Sequence, residues 1–129
     1  MTLGAVNHIS LTVGDLDVAE EFYDPLLRFL GYRLSARRKD YLEWTGPGGW
    51  FILRPARQPA AHDRYARGLH HLAWNADSRA EVDDFHTLLR RHSVNLLDGP
   101  AEFPQHGEGY YAVFFEDPDG IKLELAHTP

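Results

Sequence analysis

Two segments of the chain share one alternating pattern of apolar and polar residues. The first is His8-Ile9-Ser10-Leu11-Thr12-Val13, and the second is His71-Leu72-Ala73-Trp74-Asn75-Ala76. A histidine opens each segment, and apolar residues follow at every second position, which is the period of a β-strand. Because the same pattern recurs 63 residues later in a chain of 129, the sequence indicates one module used twice.

The other periodicities predict the order β-α-β-β-β in each half of the chain. In the first half, strands are predicted over 5–13, 32–37, 41–45 and 50–54, with a helix that Asp15 caps and Gly31 ends. Pro25 lies inside this helix and is expected to kink or divide it. In the second half, strands are predicted over 69–76, 94–97, 110–115 and 121–126. A helix is predicted to begin at the capping box 78–81, and 99–109 is predicted to be a loop.

These elements predict an α+β fold in a single domain. Module 1 is predicted over about 5–55 and module 2 over about 68–127. The segment 56–67, which is rich in Pro, Arg and Ala, is interpreted as the linker between them.

The polar faces of the predicted strands carry residues that suit a metal site. Each apolar face has a helix beside it in sequence to pack against, so the opposite faces are expected to line a pocket if the modules form one curved sheet. The last strand places Glu124 on the same face as His8 and His71. Two imidazoles and one carboxylate are a common ligand set for a divalent metal with open coordination positions. The alternatives at this point are packed or solvent-facing histidines and a solvated Glu124 that pairs with Lys122.

Composition and charge narrow the classes of partner. The net charge of −6 argues against a nucleic-acid partner, which would need a basic face. The chain has no apolar run near the ~20 residues of a membrane span, and its start lacks the layout of a signal peptide. Without cysteine, any metal must be held by nitrogen and oxygen, and a cytoplasmic location is expected.

Several segments together resemble one known family. They are 7–13, Phe22-Tyr23 followed by Leu30-Gly31-Tyr32, and 115–125, in which Asp117-Pro118-Asp119-Gly120 is the most specific part. With the doubled module, they are similar to the vicinal oxygen chelate superfamily. That group includes glyoxalase I, bleomycin-resistance proteins, extradiol dioxygenases and fosfomycin-modifying thiol transferases.

The resemblance implies an eight-stranded, incomplete barrel around a central pocket that holds a divalent metal. It places the family's ligands on His8, His71 and Glu124. The metal is expected to be Mn, Fe, Ni, Co or Zn, all of which accept this ligand set. Aligning 49–53 with 120–124 puts Leu53 where glyoxalase I has a fourth ligand, so a standard glyoxalase reaction is not expected.

The predicted function is a metal-dependent enzyme that acts on a small oxygen-bearing substrate, with the metal as Lewis acid. A lyase or isomerase, a thiol transferase and a dioxygenase remain open as reaction types. The alternative is a metal-free protein that sequesters a toxic small molecule, as bleomycin-resistance relatives do. Two-module chains of this family commonly pair, so a homodimer is expected.

Further site residues are predicted from strand parity and from the loop before the seventh strand. Tyr110 shares the parity of Phe114, but Tyr111 remains an equal alternative for the pocket. His106 is a candidate for a mobile acid or base, or else an ordinary surface histidine. His70 has the opposite parity to His71 and is expected to point outward or to cap. The predicted catalytic residues are Glu124, Tyr110 and His106, and the predicted substrate-binding residues are Ser10, Thr12, Asn75, Phe114 and Lys122.

Overall fold

The computed structural model describes residues 2–129 and contains, within them, two α-helices, one short 3-10 helix and eight strands. The order is β1 (His8–Val13), α1 (Leu16–Phe29), β2 (Arg33–Arg38), β3 (Tyr41–Gly46), β4 (Gly49–Pro55), β5 (Leu72–Ala76), α2 (Arg79–Arg91), β6 (Asn95–Glu102), the 3-10 helix (Pro104–His106), β7 (Tyr111–Glu116) and β8 (Lys122–His127). Two β-α-β-β-β modules confirm the predicted α+β class. Neither α-helix is long and apolar enough to cross a membrane, within residues 2–129.

The chain divides into two compact units, the first ending at Ala60 and the second comprising Ala61–Pro129. This boundary lies inside the predicted linker, 56–67. The single domain expected from the sequence remains a prediction.

The first unit is a four-stranded sheet with α1 packed on one face. Its strand order is β1-β4-β3-β2, in which β1 runs parallel to β4 and the other pairs are antiparallel. The Tyr23 ring of α1 contacts the Phe51 ring of β4, with centroids 5.4 Å apart. Helix α1 begins at Asp15, whose Oδ1 accepts a hydrogen bond from the Val18 N–H. It continues through Pro25 as one element, so the proline does not divide it. The buried residues on both sides of the proline, Tyr23 and Leu27, fix the helix to the sheet.

The second unit repeats the arrangement. Its strand order is β5-β8-β7-β6, again with one parallel pair, β5 with β8. Ser78 Oγ accepts a hydrogen bond from the Glu81 N–H, and Glu81 Oε1 accepts one from the Asp77 N–H. These two bonds satisfy N–H groups at the start of α2, as the capping box predicts.

Two predicted boundaries in the second unit are wrong. Strand β5 begins at Leu72 rather than 69, so His71 directly precedes the strand. Strand β6 extends to Glu102, through the first part of the predicted loop 99–109. Its pairing with β7 shifts register twice between Leu96 and Ala101, and these irregularities accommodate the Gly-Pro pair that favoured a loop prediction.

Candidate functional site

A cavity of about 630 Å³ lies in the second unit, on the sheet face away from α2. Phe85 of α2 packs on Phe115, with ring centroids 5.5 Å apart, so side chains of the opposite parity face away from the helix. Phe114 of β7 and Glu124 of β8 are cross-strand partners of that parity, and both line the cavity.

Glu124 is the centre of the polar contacts in this cavity. Its side chain is only 2% exposed. One carboxylate oxygen, Oε2, accepts a short hydrogen bond from the Tyr110 hydroxyl, and the other, Oε1, lies 3.2 Å from His71 Nε2. A buried carboxylate is costly unless it is bonded, and here both oxygens have partners. The alternative of a solvated strand residue is therefore wrong for Glu124.

Tyr110, which directly precedes β7, and Tyr111, its first residue, direct their hydroxyl groups to opposite sides of the sheet. Tyr110 lines the cavity, whereas the Tyr111 hydroxyl donates a hydrogen bond of 2.6 Å to Asp83 Oδ1 of α2. Burial, followed by the hydrogen bond to Glu124 and its charge, raises the pKa of Tyr110 to about 12. Tyr110 thus holds its proton at neutral pH and acts as a donor to Glu124.

Of the remaining predicted site residues of the second unit, His106 and Lys122 line the cavity and Asn75 does not. His106 lies on the 3-10 helix and lines the cavity, with its ring centroid 5.3 Å from that of Tyr110. Lys122 also lines the cavity, and its Nζ lies 4.8 Å from the centroid of the Phe114 ring. Asn75 is exposed on β5 and is not among the residues that line this cavity.

The predicted site residues of the first unit share one exposed strand face. His8, Ser10 and Thr12 alternate along β1 with the more buried Ile9, Leu11 and Val13. The Nδ1 atom of His8 lies 2.7 Å from Asn7 Oδ1. The roles in metal and substrate binding stay predictions for these three residues.

His70 corrects one expectation, because it does not point outward or cap. It lines the same cavity as His71, and the Nδ1 atoms of the two rings are 2.7 Å apart. Both residues precede the first residue of β5, so the alternation of a strand does not apply to them. Desolvation lowers the pKa of His70, and the neighbouring His71, Lys122 and Arg64 lower it further.

Sequence patterns missed two charged residues of the cavity, Arg64 and Asp98. Arg64 comes from the linker, where no periodicity assigns a direction to a side chain. It forms an ion pair with Glu116 and donates a hydrogen bond of 3.1 Å to the Gly120 carbonyl. Asp98 lies where the pairing of β6 shifts register, so strand parity fails there too.

Strand register also corrects the predicted equivalence of Leu53 with Glu124. Ser10, two residues after His8, pairs with Ile52, whereas Ala73, two residues after His71, pairs with Glu124. Ile52 is therefore the counterpart of Glu124 in the first unit, and Leu53 faces the core beside α1. The alignment by sequence was wrong by one residue. Because isoleucine has no ligating atom, the conclusion that this position is not a metal ligand is unchanged.

Two of the three predicted metal ligands lie together. His71 Nε2 and Glu124 Oε1, at 3.2 Å, are a nitrogen and a carboxylate oxygen of the kind that divalent metals accept. Within residues 2–129, no group of three or more His, Asp or Glu side chains is spaced to hold a metal ion. The donor chemistry of the pair thus fits a metal, and the third ligand, His8, stays a prediction.

Comparison with known proteins decides the family. A family model described as the Glyoxalase/Bleomycin resistance protein/Dioxygenase superfamily matches residues 5–125. The chain belongs to this superfamily. This confirms the resemblance drawn from the doubled module and from the Asp-Pro-Asp-Gly turn.

Relatives within the glyoxalase superfamily match over nearly the whole chain. The uncharacterized protein YqjT of Bacillus subtilis is 33% identical, over 93% of this chain and 96% of its own length. The metallothiol transferase FosB of Staphylococcus epidermidis is 29% identical, over 99% of this chain and 84% of its own. The solved structure of a presumed glyoxalase from Bacillus halodurans superposes with a TM-score of 0.88 at 28% identity, over 98% of this chain and 97% of its own.

Proposed function

We propose that this chain is a metal-dependent enzyme of the glyoxalase superfamily that acts on a small oxygen-bearing substrate. The observation that carries the proposal is the buried Glu124 carboxylate, with Tyr110 at one oxygen and His71 at the other, in the wall of a cavity. Such a cluster of titratable groups in a concave site is typical of binding and catalytic sites.

The proposed ligands of the metal are His8, His71 and Glu124. Mn, Fe, Ni, Co and Zn all accept two imidazole nitrogens and one carboxylate oxygen. A divalent metal in this position would act as a Lewis acid, which stabilises negative charge that develops on substrate oxygens.

The other residues of the cavity have distinct tasks in this proposal. Tyr110 holds its proton and fixes Glu124 Oε2, which leaves Oε1 directed at His71. His106, beside Tyr110 on the short 3-10 helix, is positioned to hold or accept a proton in the cavity. The rings of Phe103 and Phe114, with centroids 5.1 Å apart, form an apolar wall that limits the access of water.

The names of the relatives suggest which reaction to test first. FosB is a metallothiol transferase, so we propose transfer of a thiol to an electrophilic substrate as the first candidate. Lyase or isomerase chemistry and dioxygenation are the further candidates, since each also develops charge on substrate oxygens. We also propose that the enzyme acts in the cytoplasm as a homodimer, which light scattering at micromolar concentration would test.

Elemental analysis of protein purified without a polyhistidine tag tests the metal directly. We expect about one equivalent of a divalent transition metal, and rebinding of that metal after treatment with a chelator. His71→Ala should weaken rebinding by at least tenfold, as expected when one ligand is lost. His92→Ala is the matched control, because His92 is exposed at the end of α2 and should leave the affinity unchanged.

The result that would overturn the proposal is equal metal affinity in the wild type, His71→Ala and His92→Ala. Metal-free protein that binds no metal on titration would also overturn it. That second outcome would favour the alternative, a binding protein that sequesters a small molecule without a metal.

A further inference from the structure

The ring of His71 has a polar contact at each of its two nitrogens. Nε2 lies 3.2 Å from Glu124 Oε1, and Nδ1 lies 2.7 Å from Nδ1 of His70, the preceding residue. His71 directly precedes β5, so the alternation of a strand does not set the direction of its side chain. That side chain is also 35% exposed, so packing alone does not hold the ring. The contact with His70 therefore fixes the side of the ring that faces away from Glu124.

The short distance between the two Nδ1 atoms requires a proton between them. A neutral imidazole has one N–H donor and one acceptor nitrogen, so one ring must donate and the other must accept. An imidazole that coordinates a metal through Nε2 carries its proton on Nδ1. If His71 coordinates through Nε2, its Nδ1–H donates, and Nδ1 of His70 accepts. The proton of His70 is then on its own Nε2, and both rings are neutral.

His70 is suited to accept this bond because its ring is neutral and held in place. Desolvation, and after it the positive charges nearby, lower the pKa of His70. The Tyr65 ring packs edge-on against the His70 ring, with centroids 5.7 Å apart, and the His71 ring does so at 4.9 Å. Arg64, which precedes Tyr65, donates a hydrogen bond of 3.1 Å to the Gly120 carbonyl in the turn between β7 and β8. His70 thus lies between an anchored part of the linker and His71.

We propose that His70 is a positioning residue whose hydrogen bond with His71 Nδ1 holds Nε2 of His71 in the direction of Glu124. His70 acts through His71 and is not itself a ligand. This inference rests on the proposed function, because it assigns His70 a role in metal coordination by His71. Partners of this kind fix the tautomer and orientation of a metal-bound histidine, and their loss costs about tenfold to a hundredfold in metal affinity.

A pair of substitutions of similar shape tests the acceptor. His70→Asn places an amide oxygen near the position of Nδ1, whereas His70→Leu places a methyl group there. In zinc titrations of chelator-treated protein, we expect His70→Leu to weaken binding by about tenfold or more. His70→Asn should restore most of the wild-type affinity. His92→Leu is the matched control, because His92 is exposed at the end of α2 and should leave the affinity unchanged.

NMR detects the hydrogen bond in the wild-type protein, without any substitution. In protein labelled with an NMR-active nitrogen isotope, a proton between two ring nitrogens produces a scalar coupling between their nuclei. We expect this coupling between Nδ1 of His70 and Nδ1 of His71, both with zinc and after treatment with a chelator. With zinc bound, the proton should be on Nδ1 of His71 and on Nε2 of His70. A role of His70 in folding alone would not produce this pattern.

The orientation of the His71 ring is measured against Phe114, whose ring centroid lies 6.5 Å from that of His71. The nuclear Overhauser contact between these two rings should weaken in His70→Leu and persist in His70→Asn. This measurement needs no metal, so it tests the positioning role separately from metal binding.

The outcomes separate this inference from the proposed function. Coupled Nδ1 nuclei and a ring orientation that depends on His70, in a protein that binds no metal, would support the positioning role and overturn the metal-dependent enzyme. Equal zinc affinity in wild type and His70→Leu, with a large loss in His71→Ala, would overturn the positioning role and leave the enzyme in place. Equal losses in His70→Asn and His70→Leu, or zinc-loaded protein without the coupling, would also overturn the positioning role.

Discussion

At the scale of single residues, Tyr110 and Tyr111 are neighbours whose hydroxyl groups have different partners. Tyr110→Phe removes the donor to a carboxylate that is nearly fully buried, whereas Tyr111→Phe removes a donor to the exposed Asp83. We expect Tyr110→Phe to lower the free energy of unfolding by about 1–2 kcal/mol and Tyr111→Phe by less than about 0.5 kcal/mol. Urea unfolding of both variants measures the difference. Equal losses of unfolding free energy would mean that the hydrogen bond to Glu124 stabilises the fold no more than the bond to Asp83 does.

The Tyr110 hydroxyl also makes the stability of the folded protein depend on pH, and the raised pKa fixes the direction of that dependence. Because the pKa of Tyr110 is raised from about 10 to about 12 in the folded protein, its contribution to stability is complete below pH 10. That contribution is lost as the pH rises from about 10 through about 12. We expect the ultraviolet phenolate signal of the wild type to contain a component that titrates near pH 12 and that Tyr110→Phe lacks. An unchanged titration curve in this variant would contradict the assignment.

The residues of the site differ in how far the sequence predicts them. Strand alternation is enough to place Glu124, Phe114 and Lys122 on one face, because β8 and β7 are regular there. Alternation has no meaning outside a strand, which is why His70 was assigned to the wrong side. Arg64 depends on contacts with residues more than 50 positions away, and no local pattern reports such contacts.

At the scale of elements, the start of β4 depends on the close approach of Gly49 to the residue before β1. Gly49 has φ +96°, and a Cβ there would lie 2.0 Å from the Asn7 carbonyl oxygen. The Trp50 N–H donates to that same oxygen, so the contact sets the pairing of His8 with Trp50. A side chain at position 49 must therefore displace β1 or β4.

This predicts a large loss of stability for Gly49→Ala. We expect about 2–4 kcal/mol, from backbone strain and from the clash together. Gly4→Ala is the matched control, because Gly4 has φ +89° but no atom within 4 Å of its added Cβ. Its cost should be about 1 kcal/mol or less. Denaturant unfolding of the two variants measures both losses of stability. Similar losses would show that backbone strain alone, and not the clash with Asn7, destabilises Gly49→Ala.

Element order and type were predictable because both helices carry caps and apolar faces of the right period. Exact register was not, because it depends on which backbone groups pair across strands. A shift of one residue exchanges the two faces of a strand, and this is how Leu53 was aligned with Glu124 in place of Ile52. The extent of β6 was missed for a related reason, since register shifts let a strand pass through Gly99 and Pro100.

At the scale of the whole molecule, the proposed ligands come from both units of the chain, His8 from the first and His71 and Glu124 from the second. If all three bind one ion, a substitution in either unit must affect the same equilibrium. His8→Ala and His71→Ala should then weaken metal affinity by similar factors, each at least tenfold. An affinity unchanged in His8→Ala would confine the metal site to the second unit.

Proton competition provides an independent count of the histidines that bind the ion. An imidazole nitrogen coordinates a metal only without its proton, so metal affinity should fall as the pH drops from ~7 to ~5. Two coordinating imidazoles give a slope that approaches two protons released per metal at the acid end, and each single His→Ala variant should reduce it towards one. Glu124→Gln should weaken binding but keep the two-proton slope, because the substitution removes neither imidazole. Metal titrations between pH ~5 and ~7.5 on wild type and the three variants measure the slope. A slope near one in the wild type would mean that only one of the two histidines, His8 or His71, is a ligand.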